Sequence, residues 1–77
     1  MQHYMRTINI GSRVSCKSHW GYVTGTVTRI YKAYTINTDE GLVRVPEIAN
    51  MLVDKTPSKW PYSIPEFAPE MSTLTLL

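Results

Sequence analysis

The sequence predicts an all-β fold, a small barrel of five strands followed by an extended proline-rich arm. Apolar and polar residues alternate in runs between Ile8 and Val27, and a period of two places one face of a strand in the core and the other in water. Glycines interrupt these runs at Gly11, Gly21 and Gly25, as in small barrels whose strands bend or bulge at glycine. A chain of 77 residues is long enough for one domain.

Composition describes an ordinary globular chain, with 43% hydrophobic and 18% charged residues. No apolar run approaches the roughly 20 residues of a membrane span, and the first residues contain no apolar secretory segment. The lone Cys16 predicts a buried, reduced thiol in a cytoplasmic protein. A net charge of +2 permits a DNA, RNA or acidic protein partner without requiring one. So short a chain buries a small core, so a homo-oligomer is one route to stability.

The pattern predicts five strands, over residues 8 or 10 to 16, 20–31, 34–37, 42–45 and 51–53. Val14 and Cys16 fall on one face of the first strand, and Gly25 predicts a bend in the long second strand. The run Thr38–Gly41 fits a type I turn followed by a left-handed glycine. Pro46–Asn50 is predicted to form one helical turn, since proline suits the first position of a helix. A helix over Pro46–Val53 is the competing interpretation, because its apolar residues also match helical spacing.

The chain is predicted to divide into a barrel over residues 1–55 and an arm over residues 56–77. Prolines recur every fourth residue from position 57 to position 69, and they favour an extended backbone for themselves and for the residues before them. The arm is rich in aromatic and apolar side chains that the barrel does not need for its own core, so truncation at Thr56 is expected to leave the barrel folded. We therefore assign the arm to partner binding, through Trp60, Tyr62, Ile64, Phe67 and Met71.

The run from Gly11 to Cys16, followed by Gly21, Gly25 and Val27, resembles the pattern of KOW and Tudor-type domains, which are small SH3-like barrels. With Val45-Pro46 and Met51–Val53 the resemblance extends over roughly residues 8–54 and excludes the arm. It implies an SH3-like fold. Such barrels have many unrelated functions, so the resemblance supports the fold more than any activity.

The type II dihydrofolate reductases share this size and strand order. Gly11, Arg13-Val14 and Lys17-Ser18 are similar to that family's first strand, and Pro46 follows a strand as it does there. The family's substrate-binding lysine would fall on Cys16, however, and its pore-lining strand would fall on residues 43–46. The chain therefore departs from the family at its active site, and reductase activity is the most remote alternative.

No residue pattern argues for catalysis, and we predict neither an enzyme nor a metal or cofactor site. Cys16 and His19 have C-x-x-H spacing, but a structural zinc site normally uses four ligands, and the chain contains one Cys and two His. Asp39-Glu40 lies in a predicted turn, where acidic residues are common.

We favour a non-catalytic adaptor, an accessory subunit, or a regulator or inhibitor of a larger protein complex, including a phage-encoded one. It would bind its partner through a barrel edge and the arm. The alternative is a KOW- or Tudor-like module that binds DNA or RNA, because basic and aromatic residues alternate along the first strands. The residues of that surface are Arg13, Lys17, His19, Trp20, Tyr22, Arg29, Lys32 and Tyr34.

Overall fold

The computed structural model describes residues 7–77, so the first six residues of the predicted barrel lie outside the described part of the chain. The described residues form seven strands and one 3-10 turn. The strands are β1 Arg13–Ser18, β2 Gly21–Tyr31, β3 Tyr34–Thr38, β4 Gly41–Val45, β5 Ile48–Val53, β6 Glu66–Phe67 and β7 Thr75–Leu76, and the 3-10 turn is Met71–Thr73. The predicted all-β fold is confirmed.

The main sheet has five strands in the order β6-β5-β2-β1-β7, and all its pairings are antiparallel. The long strand β2 lies at its centre. Side chains alternate across the sheet, and those on one face form the core: Val14, Cys16, Val23, Val27, Ala49, Met51 and Val53, none more than 3% exposed. Val14 and Cys16 lie on this face together, as the alternation predicts.

Strand β2 contains one irregularity, at Thr28. Val27 pairs with Met51 and Arg29 pairs with Asn50, so Thr28 is an extra residue in the β2–β5 ladder. Its hydroxyl donates to the carbonyl oxygen of Asn50 (3.2 Å). Such a bulge resets the alternation of a strand, and as a result both Val27 and Ile30 face the core although they are three residues apart.

Gly25 lies where two backbones meet at close range. A Cβ placed on Gly25 would be 2.2 Å from the carbonyl oxygen of Leu52, which is far inside van der Waals contact. The glycine therefore permits β2 and β5 to pack without a side chain between them, which is one of the uses of glycine in a strand.

Strands β3 and β4 form a separate two-stranded hairpin. The ladder between β2 and β5 ends at the pair Tyr31–Ile48 and resumes at Tyr34–Val45 as the hairpin. Between these pairs, two residues on each side leave the ladder. One of them is Pro46, which has no amide hydrogen to donate. The predicted turn is present, since Gly41 has a φ of 115°.

The predicted helical turn over Pro46–Asn50 is wrong. Ile48 already belongs to strand β5, which continues to Val53, and the 3-10 turn of the described residues lies in the arm instead. The carbonyl of Glu47 accepts a hydrogen bond from the amide of Met71 (2.9 Å). This pairing with the arm holds the segment extended, which local propensity alone does not predict.

The arm is part of the main sheet. Residues 65–71 run antiparallel to β5. The amide of Val53 donates to the carbonyl of Pro65 (2.7 Å), and the amide of Ala49 donates to the carbonyl of Pro69 (3.0 Å). The chain then turns and pairs with β1 through β7. One continuous segment therefore covers the outer edges of both β5 and β1.

Candidate functional site

An aromatic cluster connects the β1–β2 turn to the arm. The ring of Trp20 contacts the rings of Trp60 and Tyr62 edge to face, with centroids 5.3 and 5.7 Å apart. Trp60 also contacts Phe67 (5.8 Å), and its indole N–H donates to the carbonyl oxygen of Ile64 (3.1 Å). Edge-to-face pairs of this kind contribute stability beyond their buried area. The cluster therefore fixes the position of the arm against the sheet.

The five predicted partner-binding residues of the arm fall into two groups. Trp60, Phe67 and Met71 are partly buried and pack against the core cluster. Tyr62 and Ile64 remain 51% and 53% exposed. Of these five, Tyr62 and Ile64 therefore present the most surface to another molecule, and the other three pack against the core.

Tyr62 and Ile64 line an open groove of about 370 Å³. Its walls are Asn50, Tyr62, Ile64, Glu66, Phe67 and Ala68. The groove lies along β6, a two-residue strand that pairs with β5 on one side. The other side of β6 has no strand partner among residues 7–77. An apolar groove beside an open strand edge has the features with which proteins bind extended segments of other proteins.

The predicted nucleic-acid-binding residues lie in three regions of the structure. Arg13, Lys17 and Tyr22 lie on the sheet face opposite the core, where Lys17 pairs directly with Tyr22. His19 and Trp20 belong to the turn that contacts the arm. The remaining three lie near the hairpin base: Arg29, Lys32 and Tyr34. The guanidinium of Arg29 lies over the ring of Tyr31, 5.4 Å from its centroid.

Arg13 forms a bidentate ion pair with Asp54. The guanidinium also donates to the hydroxyl of Thr26 (2.9 Å), and the hydroxyl of Thr24 donates to Asp54 (3.3 Å). The hydrogen bonds from Arg13 lower the pKa of Asp54, and those to Asp54 raise the pKa of Arg13. Because its charge is matched within the chain, Arg13 contributes little to a positive surface.

Cys16 and His19 do not form a reactive pair. The thiol of Cys16 is buried on the core face, 3.9 Å from the sulfur of Met51, whereas His19 is exposed in the following turn. Burial raises the pKa of Cys16, which lowers the population of the nucleophilic thiolate. Among residues 7–77, no three His, Cys, Asp or Glu side chains group closely enough to hold a metal ion.

One exposed surface was missed at the level of sequence. The hairpin carries apolar side chains on one face, formed by Tyr34, Ile36, Val43 and Val45, and all but the partly buried Val45 are exposed. We call it the hairpin face. The alternation of β3 and β4 is visible in the sequence, but it predicts two strands of the barrel and not a separate hairpin.

Comparison with protein-family profiles, with curated proteins and with solved structures finds no match for this chain. The resemblance to SH3-like domains and to the reductases stays a prediction. Within the described residues there is no helix with the length and apolar character needed to cross a membrane.

Proposed function

We propose that this chain is a non-catalytic, cytoplasmic protein-binding adaptor that acts as an accessory subunit or regulator of a larger complex. The observation that supports the proposal is the exposure of Tyr62 and Ile64 beside β6, at 51% and 53%. Both belong to a segment whose neighbouring residues are tied to the core. These two exposed side chains are therefore held by a rigid backbone.

A rigid aromatic surface suits protein binding. The ring of Tyr62 is held by Trp20 and Trp60, with centroids 5.7 and 5.3 Å away, and proline limits the backbone on both sides of it. Little conformational entropy is lost when such a surface binds. Tyrosine is also enriched among the residues that dominate binding energies at interfaces.

The backbone beside the groove offers a second means of recognition. The free edge of β6 is two residues long and lies between Pro65 and Pro69, so it adds only a few main-chain hydrogen bonds to an extended segment of the partner, and the groove provides most of the recognition. The partner we propose is therefore a protein that presents an extended segment with an apolar side chain for the groove.

Affinity capture with paired variants tests this proposal. The variant Tyr62→Ala/Ile64→Ala should keep the fold of the wild-type chain and lose at least tenfold in partner capture. Tyr22→Ala is the matched control, because Tyr22 is 78% exposed and is not among the residues that line the groove. Equal capture by the wild type and the groove variant would contradict the proposal.

A nucleic-acid-binding module is the second candidate, favoured by the pairing of Lys17 with Tyr22. These neighbours place a cation beside an aromatic ring that is 78% exposed, which is the combination that holds a phosphate and stacks a base. Binding to single-stranded DNA or RNA should then weaken steeply with salt and be lost in Lys17→Ala/Tyr22→Ala. No binding at low salt would exclude this candidate.

A further inference from the structure

The hairpin face is apolar, and the opposite side of the hairpin is largely polar. Its cross-strand pairs are Tyr34–Val45 and Ile36–Val43, and Tyr34, Ile36 and Val43 are 56%, 42% and 45% exposed. An isolated two-stranded hairpin is marginally stable in water. The hairpin therefore gains stability from any surface that extends it or covers its apolar side.

The two outer edges of the hairpin differ. Neither has a strand partner among residues 7–77. The edge of β4 contains Arg44 and ends at Pro46, and charge and proline are features that discourage pairing at a sheet edge. Strand β3, Tyr34–Thr38, contains neither. Among the described residues, the edge of β3 is therefore the less protected of the two.

Backbone alternation determines which groups of β3 point outward. Thr38 and Gly41 flank a two-residue loop and pair with each other, so they form a mutual hydrogen-bonded pair. Every second pair along the hairpin, Ile36–Val43 and then Tyr34–Val45, is hydrogen-bonded in the same way. The amide and carbonyl groups of Thr35 and Asn37 consequently point away from β4.

We infer that two copies of this chain pair antiparallel through β3, with Ile36 opposite Ile36 on a two-fold axis. In this register Thr35 of one copy is opposite Asn37 of the other, so their outward groups form hydrogen bonds in both directions. The result is a four-stranded sheet that crosses the interface. The hairpin faces of both copies lie side by side on one of its surfaces.

Charge complementarity selects this register and this partner. With Ile36 on the axis, Lys32 of each copy reaches the acidic turn of the other copy, opposite Glu40. Shifting the register by two residues, which is the next hydrogen-bonding step in either direction, places Ile30 or Tyr34 opposite Glu40 instead. Pairing through β4 about Val43 would bring Glu47 against Asp39, two like charges, so a second copy fits β3 and does not fit β4.

The dimer is a weak one because its interface is small. Sedimentation velocity should show a shift from monomer to dimer over roughly 1 μM to 1 mM, and the shift should diminish at high salt because the charge pairs are exposed. Ile36→Lys should abolish dimerisation by placing two like charges on the axis. Leu42→Lys is the control: Leu42 is 76% exposed on the opposite side of the same hairpin, and its variant should still dimerise.

A charge exchange gives an independent test. Lys32→Glu and Glu40→Lys should each weaken dimerisation several-fold at low salt, and the double variant should restore it to within about twofold of the wild type. A wild-type chain that stays monomeric over the whole range, a dimer unaffected by Ile36→Lys, or a double variant weaker than both single variants would overturn the inference. Tyr62→Ala should leave the dimer intact, so failure here is separate from failure of the arm groove.

Discussion

Removal of residues 57–77 is expected to unfold the rest of the chain. The deletion takes away strands β6 and β7 and exposes the outer edges of β5 and β1. It also removes five apolar side chains that pack against the core: Trp60, Phe67, Met71, Leu74 and Leu76. This expectation is the opposite of the one that the sequence supports, in which the barrel folds without its arm.

The magnitude follows from partial burial. Full burial of a large apolar side chain contributes about 1.5–3 kcal/mol, so five partly buried side chains contribute roughly 5 kcal/mol at about half that value. Domains of this size are stable by about 4–12 kcal/mol in total, at 0.05–0.15 kcal/mol per residue. The arm therefore accounts for a large share of the free energy of unfolding, before any loss of hydrogen bonds is counted.

Circular dichroism and urea titration of the truncated chain measure this effect. We expect no cooperative transition and a loss of the amide dispersion seen by NMR in the full chain. Point variants measure the same effect in smaller steps. Phe67→Ala should lower the free energy of unfolding by roughly 2 kcal/mol, and the exposed control Ile64→Ala should lower it by less than about 0.5 kcal/mol. A truncated chain that unfolds cooperatively, with a wild-type spectrum, would refute the reasoning.

Three further predictions concern the main sheet. Gly25→Ala should lower the free energy of unfolding by about 3 kcal/mol in a denaturant titration, because the added methyl group meets a backbone carbonyl. Gly41→Ala should lower it by about 1 kcal/mol, because Gly41 has a φ of 115° but a methyl group there meets no neighbour. Equal costs for the two variants would contradict the steric argument. Cys16 should react with a thiol reagent only on unfolding, since its thiol is buried with a raised pKa, and rapid labelling of the native chain would contradict that burial. Because the pKa of Asp54 is lowered, its ion pair with Arg13 stabilises the fold above the ordinary aspartate pKa of 3.8, and this stabilisation is lost as the pH falls through the lowered pKa. Acid unfolding should therefore begin at a higher pH in Arg13→Gln than in the wild type. An unchanged acid transition would exclude this linkage.

Local patterns in the sequence were sufficient for β1 to β4, for part of β5 and for one turn. The alternation of Val14 and Cys16 predicted a strand with one buried face, and Thr38–Gly41 predicted a hairpin turn with a left-handed glycine; both are present. Ile48, Met51 and Leu52 match helical spacing as well as strand spacing. The strand is formed because β5 pairs with β2 on one side and with the arm on the other.

Long-range pairing was beyond the sequence pattern. The proline rhythm predicted an extended arm, but an extended segment can pair with any open edge, and nothing local indicated that this one follows β5 and then β1. The same limit applies to the candidate sites. Arg13 was predicted on a binding surface because of its charge, and its neutralising partner Asp54 lies 41 residues away in the sequence.

Contact between the two ends of the described chain has a consequence for biosynthesis. The amide of Leu77 donates to the carbonyl of Arg13 (2.9 Å), and Leu76 pairs with Val14, so the outer strand of the sheet joins residues more than sixty positions apart. Contacts of such long sequence separation slow folding. On the ribosome, the outer edge of β1 stays unpaired until residues 75–77 have left the exit tunnel, and an unpaired strand edge exposes a nascent chain to aggregation.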